Sequence, residues 1–448
     1  MALSIAQVVG RFKDDVGQAL SADVIRTVCR DVDHVYRDRI LDPVVTVHTF
    51  LTQVLHGNVA CTALPHLTGL SFTGTAYCRA RKRLPLALFQ GLFDCVSHGL
   101  YSEGQSAGLW RGHRVWLLDG SSFSMADVAE LRDHFGQPGA QKLGCGFPIA
   151  HILALFHAGA GFLQKVIVSP LRTHDMAHAA RMHPEIGEGD VLLADCAFAS
   201  FAHLALISQG KRHAIFPCHQ RQIVNFRPHR KHKTSPHEPT GLPTSRWLKR
   251  LGKRDQLVEY IKPKNNPKWM SKEDFDALPA SIVVRELRVT IKRPGRCART
   301  MTFVTTLLDQ ELYPAAAIAA LYGQRWDVET NIRHLKTTMK LEVLRSQSVE
   351  GIKKEVLMFA LVYNLVRLVM LEASRRQQVA LSRISFVDAL RWLRSATPTT
   401  PLRPLIVNPA RPNRFEPRVV KRRPKPHTLM TKPREQLRKA LKRKKVTA

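Results

Sequence analysis

Three acidic residues and one mixed-charge stripe carry the chemistry that this sequence can offer. Asp119 and Asp195 each follow an apolar run, Val115-Trp116-Leu117-Leu118 and Val191-Leu192-Leu193-Ala194, the pattern of a buried strand that ends on a carboxylate. One such acid alone reads equally well as a turn cap. Two of them, on strands expected to be neighbours, read as a pair of oxygen donors at one sheet edge. Paired carboxylates suit Mg²⁺, which takes few protein oxygens and keeps positions for phosphate and water. The third acid, Glu329, lies in the helical run 313–339, where Tyr322, Arg325, Glu329 and Lys336 stand at offsets 0, 3, 7 and 14. At about 100° per residue these four fall within roughly 60° of one another. By default that is the wet face of an amphipathic helix, but Arg, Glu and Lys beside a Tyr also form a surface that holds a metal and a phosphate together. Asp327 points about 160° away from Glu329, so Glu329 is the acid that shares the stripe. Three carboxylates can hold two ions about 3.5–4 Å apart, one activating a water or 3′-hydroxyl and the other stabilising the leaving oxygen, with no nucleophilic side chain needed.

The elements that must position these residues change in texture along the chain. Residues 1–105 read as helical, with apolar positions such as Val44, Val47, Phe50, Leu51, Val54 and Leu55 at helical spacing and a basic cluster at Arg79, Arg81, Lys82 and Arg83. From 106 to 218 strands dominate first: 113–123 ending at Asp119-Gly120, then two around the Ala158–Gly161 turn. A helix from His174 to Met182, a strand 191–198 ending at Asp195, a helix 201–209 and a short strand 213–217 follow. This order predicts an α/β fold with a mixed sheet. The stretch 219–310 opens as a polar, basic, Pro-rich loop to 243 and continues with strand-like runs at 255–261, 281–294 and 301–308, a β-rich insertion. Helices return over 311–380, one across 313–339 and one from about Ile352 to Ser374, and 381–448 is a basic region whose last part, from Arg411, holds 15 Lys/Arg and two Glu.

Bulk properties narrow the function. With 68 Lys+Arg against 36 Asp+Glu the formal charge is +32, a self-repulsion that a polyanion would offset. The most apolar stretch, Val356 to Met370, is interrupted by Asn364 and Arg367 and falls short of the roughly 20 clean residues of a span. The N-terminus has no basic lead followed by a long apolar run, so no signal peptide is expected. We therefore expect a soluble cytoplasmic, nucleoid-associated protein with no membrane partner. The eight cysteines are scattered without a CxxC, which points to neither a zinc site nor a disulfide framework. Ser121 and Ser122 lack the G-x-S-x-G setting of a hydrolase nucleophile.

Tyr322, Arg325, Glu329 and Lys336 match the Y-x2-R-x3-E-x6-K signature, and in this the chain resembles bacterial insertion-sequence transposases of the IS-four group. Asp119-Gly120-Ser121 is similar to the region of that family's first catalytic Asp. Asp195-Cys196-Ala197-Phe198 is similar to the second, with Cys196 in place of the commoner Arg. The resemblance runs over about 40–435. It implies a ribonuclease-H-like catalytic core interrupted by the β-rich insertion, with a helical N-terminal DNA-binding domain and a basic C-terminal tail. It implies Asp119, Asp195 and Glu329 as catalytic ligands of Mg²⁺, with Mn²⁺ as a substitute, and phosphate contacts from Tyr322, Arg325 and Lys336. Trp247 and Trp269 lie in the insertion, where related enzymes stack an extruded base, although packing aromatics are the plainer reading. The implied partners are double-stranded DNA, as terminal inverted repeats and target, and a second copy of the chain in the DNA complex. The rival readings are a nuclease of the same fold that does not join strands and an inactive DNA-binding protein.

Overall fold

The computed structural model describes residues 4–440 except 107, 140, 141, 143, 174, 220, 223, 231–242, 294–295, 343, 410–431, 434 and 438. The basic tail expected from Arg411, His174, and much of the Pro-rich stretch after 219 therefore lie outside the described residues. Among the described residues, nine strands form one sheet: β1 (Val115–Ser124), β2 (Ile149–His157), β3 (Leu163–Pro170), β4 (Val191–Leu193), β5 (His213–Pro217), β6 (Thr244–Gly252), β7 (Asp255–Ile261), β8 (Ser281–Arg293) and β9 (Arg296–Thr305). Their order is β3-β2-β1-β4-β5-β9-β8-β7-β6. The β1–β4 and β4–β5 pairs are parallel, and all other neighbours are antiparallel. The mixed α/β class read from the sequence is present. The strands of the 219–310 stretch do not form a sheet of their own: β9 pairs with β5, so they extend the same sheet outward.

Among the described residues, seven α-helices precede the sheet, including Pro43–Leu55, Gly74–Arg83 and Leu86–Ser106. Pro43–Leu55 starts on an Asp42 cap, whose carboxylate accepts from the Val45 N–H, with Pro43 at the first helical position. The organising element is the 29-residue helix Val349–Gln377, which packs on Leu86–Ser106, Pro43–Leu55 and β3. It is long and apolar enough to cross a membrane, yet it lies buried inside the fold. The two polar residues that interrupt its apolar run are bonded to the β2–β3 hairpin. Asn364 accepts from the Leu163 N–H at 2.7 Å and donates to the Leu163 carbonyl at 2.8 Å. Arg367 donates to the Ala160 carbonyl at 2.7 and 3.1 Å. Both thus fasten the helix to the β2–β3 hairpin. The hairpin turn meets this helix closely: Gly161 has φ +68°, and a Cβ there would lie 2.0 Å from the Arg367 guanidinium.

The structure corrects three expectations. β1 does not end at Asp119-Gly120 but runs on to Ser124, because β2 keeps pairing with it as far as Ser124↔Ile149. The strand at 191–198 is only three residues long, and Asp195 instead caps the short 3-10 turn Cys196–Phe198. The 313–339 helix is not continuous. It consists of Ala315–Gly323, a break at Gln324-Arg325, Trp326–Arg333, and a π-helical turn at His334–Thr338.

Candidate active site

The first two acids are set side by side by strand register. The parallel ladder between β1 and β4 ends at Leu117↔Leu193, and Asp119 and Asp195 each lie two residues past that last pair. Four buried side chains, Val115 to Leu118, anchor β1 up to this point. Beyond it β1 is held on the β2 side alone, opposite Ala154. Each carboxylate is oriented by a local N–H: Gly120 donates to Asp119 Oδ1 at 2.9 Å, and Ala197 donates to Asp195 Oδ1 at 2.8 Å. For Asp195 the turn cap and the sheet-edge position are therefore both realised, with one of its two oxygens used in the cap.

The helix after the break brings the third acid. Arg325 lies in the break itself, and its guanidinium spans two carboxylates: Nη1 is 3.4 Å from Asp119 Oδ2 and Nη2 is 3.4 Å from Glu329 Oε1. The Arg325 side chain is only 12% exposed, while that of Glu329 is 48% exposed. Arg325 also lies over the rings of Tyr322 and Trp326, with its Nε buried and unpartnered among the described residues. Lys336, from the π-helical turn, donates to Ser121 Oγ at 3.2 Å and sits 3.7 Å from Glu342. Asp327 faces away, into a separate pocket with Arg367 and His334.

The four stripe residues thus differ in setting, because three successive segments present them rather than one ideal helix. Tyr322 is a core residue, edge-on to Phe303 at 5.0 Å, and burial pushes its hydroxyl pKa up. Asp119 has its carboxyl raised to about 6, chiefly by burial, with the Asp195 and Glu329 carboxylates adding to the rise. The Gly120 N–H and the Arg325 guanidinium oppose it. The Asp195 and Glu329 carboxylates therefore act on the half-buried Asp119, and the three together offer hard oxygen donors. Among the described residues no three His, Cys, Asp or Glu side chains are drawn together tightly enough to ligate one ion as they stand. The cation between Asp119 and Glu329 is Arg325.

A cleft of about 350 Å³ opens beside Asp195, bounded by Tyr322, Arg325 and Trp326 on one side and by Ile291, Arg299 and Met301 of the β8–β9 hairpin on the other. Trp326, 46% exposed, and Arg299 were not singled out from the sequence. For Trp326 a signal was available, since it directly follows Arg325. Nothing local marks Arg299, which reaches the cleft only because β9 pairs with β5. Neither insertion tryptophan lines this cleft. Trp269 stacks on His203 with ring centroids 4.6 Å apart, and Trp247 lies 4.4 Å from His229.

Residues 110–365 match the family model described as "Transposase DDE domain", a segment that contains all three acids, the break and the strands β1 to β9. The chain is 24% identical over 376 residues to the transposase InsG for insertion sequence element IS4 of Escherichia coli (strain K12), covering 78% of this chain and 77% of that protein. It is 26% identical over 146 residues to the putative transposase InsZ of the same organism, covering 32% of this chain and 49% of that one. Among solved structures, a piggyBac transposase synaptic complex with hairpin DNA aligns with a TM-score of 0.43 at 10% identity, over 85% of this chain and 78% of that one. The family match spans more than half of the sequence and encloses the carboxylates that register and helix bring together, so the chain belongs to the DDE transposase family: it is a DNA transposase, an enzyme that cleaves DNA and transfers strands with divalent metal ions.

Proposed function

We propose that this transposase reacts just past the parallel β1–β4 ladder, where Asp119 and Asp195 stand beside the helix bearing Glu329, with these three carboxylates as the ligands of two Mg²⁺ ions, for which Mn²⁺ can substitute. The observation that carries the proposal is the single guanidinium of Arg325 reaching both Asp119 and Glu329, with Asp195 in register beside Asp119. The bound ions would supply Lewis-acid stabilisation of the attacking and leaving oxygens of a phosphodiester. Asp119 and Asp195 fix two donor groups on the rigid sheet, and Glu329 supplies the third from a more exposed helix. Arg325 and Lys336 are the cations placed to take phosphate oxygens, Arg through two parallel N–H donors and Lys as a point charge. Tyr322 contributes by packing under Arg325, and a phosphate contact from its hydroxyl requires that the cleft open around it. The first five strands, with β2 antiparallel to the others, support a ribonuclease-H-like core within the mixed sheet.

The substrate in this reading is the pair of terminal inverted repeats of an insertion sequence, brought together by two copies of the chain and then joined to target DNA in the nucleoid. The test is strand cleavage and transfer on linear DNA carrying those ends, comparing the wild type with Glu329→Gln. Wild type is expected to cut and join only with metal present, and the variant to bind DNA with similar affinity while losing at least about 100-fold in both steps. Equal activity in the variant removes Glu329 from the set. Cleavage without joining makes the protein a nuclease.

A further inference from the structure

The register that aligns Asp119 with Asp195 continues across the whole sheet. Two residues past Leu193↔Ile215 lies Pro217 on β5, which pairs with Phe303; Phe303 pairs with Leu287, Leu287 with Asp255, and Asp255 with Gly252. The β6–β7 turn at the far edge therefore stands on the same cross-strand row as the two acids. That turn is strongly basic. Residues 244–254 contain five Lys/Arg and no acid, and Lys249, Arg250, Lys253 and Arg254 are all exposed. The hairpin's two acids are already engaged by arginines, Asp255 by the fully buried Arg285 and Glu259 by Arg246, so neither offsets these four charges. The turn is also held in place. Arg285 donates to Asp255 at 2.8 Å and to the Tyr313 carbonyl at 2.7 Å, and the Arg288 N–H donates to the Arg254 carbonyl at 2.9 Å.

Exposed Lys and Arg on an edge strand also keep it from pairing with another sheet. That need would be met by charges anywhere along β6, whereas among the described residues the charges without an acidic partner gather at the end level with the active site. Building on the active site proposed above, we infer that the β6–β7 turn is a second clamp for duplex DNA, binding backbone phosphates some distance along the helix from the bond that reacts. Five strand spacings separate β4 from β6; at about 4.8 Å each they span at most about 24 Å of a twisted sheet. At about 3.4 Å of rise per base pair this corresponds to roughly six or seven base pairs from the cleaved phosphate.

The test uses the full chain and a linear duplex carrying the element's terminal repeats. The salt dependence of binding is measured for wild type, Lys253→Ala/Arg254→Ala, and Lys249→Ala/Arg250→Ala. The charge-matched control is Lys264→Ala/Lys268→Ala, in the segment that leaves the opposite end of β7. Each turn variant is expected to lower the slope of log K against log salt by about two, at about 0.9 per lost phosphate contact, with an unchanged melting temperature. Hydroxyl-radical footprints are taken on Asp119→Asn complexes, in which the DNA stays whole. They are expected to show protection roughly six or seven base pairs from the cut site that disappears in the turn variants. An unchanged slope, an equal fall in the control, or a footprint that the turn variants leave intact overturns the clamp. Cleavage by Asp119→Asn itself overturns the active-site reading instead, and the slopes then still decide whether the turn binds DNA.

Discussion

At Asp119, burial and two like-charged neighbours oppose ionisation, and a carboxyl raised to about 6 has consequences for both stability and activity. A folded-state value above the ordinary 3.8 means that the group favours folding below pH 3.8 and that this contribution is lost as pH rises through about 6. At pH 8 the ionised side chain therefore destabilises the fold. Asp119→Asn should be more stable than wild type there by roughly 1–3 kcal/mol, with the gain shrinking towards pH 4 in denaturant titrations. A variant less stable than wild type at pH 8 would contradict this account. Arg325 bears on the same balance from the other side. Its guanidinium occupies the space between Asp119 and Glu329, so Arg325→Gln should bind Mn²⁺ more tightly by calorimetry, by about three-fold or more, although DNA cleavage falls. Weaker Mn²⁺ binding in Arg325→Gln would show that the arginine supports the carboxylates rather than competing for them.

Elements decide how these residues meet, and much of that was legible in the sequence. Strands β2, β3, β5, β7 and β8 follow apolar or alternating runs because each has neighbours on both sides or one buried face. Glu329 and Asp327 lie within the one unbroken segment Trp326–Arg333, so helical periodicity does separate their faces as the sequence predicts. Three features were hidden. β6 is an edge strand whose outward positions carry Arg246, Leu248 and Lys249, so it has no apolar alternation to read. β1 outlasts its apolar run because one neighbour continues where the other stops, which depends on pairing rather than on local sequence. The break at Gln324-Arg325 has one local sign, Gly323 at the end of the preceding helix, which the apolar and polar periodicity across 313–339 masks. At this scale the anchor of the long helix is open to test. Asn364→Leu strips the Leu163 N–H of its side-chain partner and leaves the Leu163 carbonyl with only the 3.3 Å bond from Ser97 Oγ; it should cost about 1–3 kcal/mol, read as a lower urea midpoint with an unchanged m-value. An unchanged midpoint would show that this link is not what fastens the helix to the hairpin.

Over the whole molecule, the +32 charge agrees with a partner that is a polyanion, and buried histidines set a limit on the acid side. Burial lowers His183 and His334 to about 4, helped by Arg212 for the first and by Arg367 and Arg333 for the second. Their folded-state values lie below the ordinary 6.5. The stability gained by keeping them neutral is thus present above pH 6.5 and is lost as pH falls towards 4. The melting temperature should drop across that window, and His183→Leu should make the drop shallower. If the pH profile of that variant overlays the wild type, the acid lability has another source.

The closure of β5 against β9 has a consequence for the chain while it is being made. β5 ends at 217 and its partner β9 begins at 296, so a growing chain holds β5 as an open edge until the insertion has been synthesised. Glu329 follows Asp195 by 329 − 195 = 134 residues, which at about 5–20 residues per second is roughly 7–27 s of translation. During that interval both sheet carboxylates exist without the helix that completes them. On the triad proposed above, a product that stops before Glu329 would lack one of the three metal ligands.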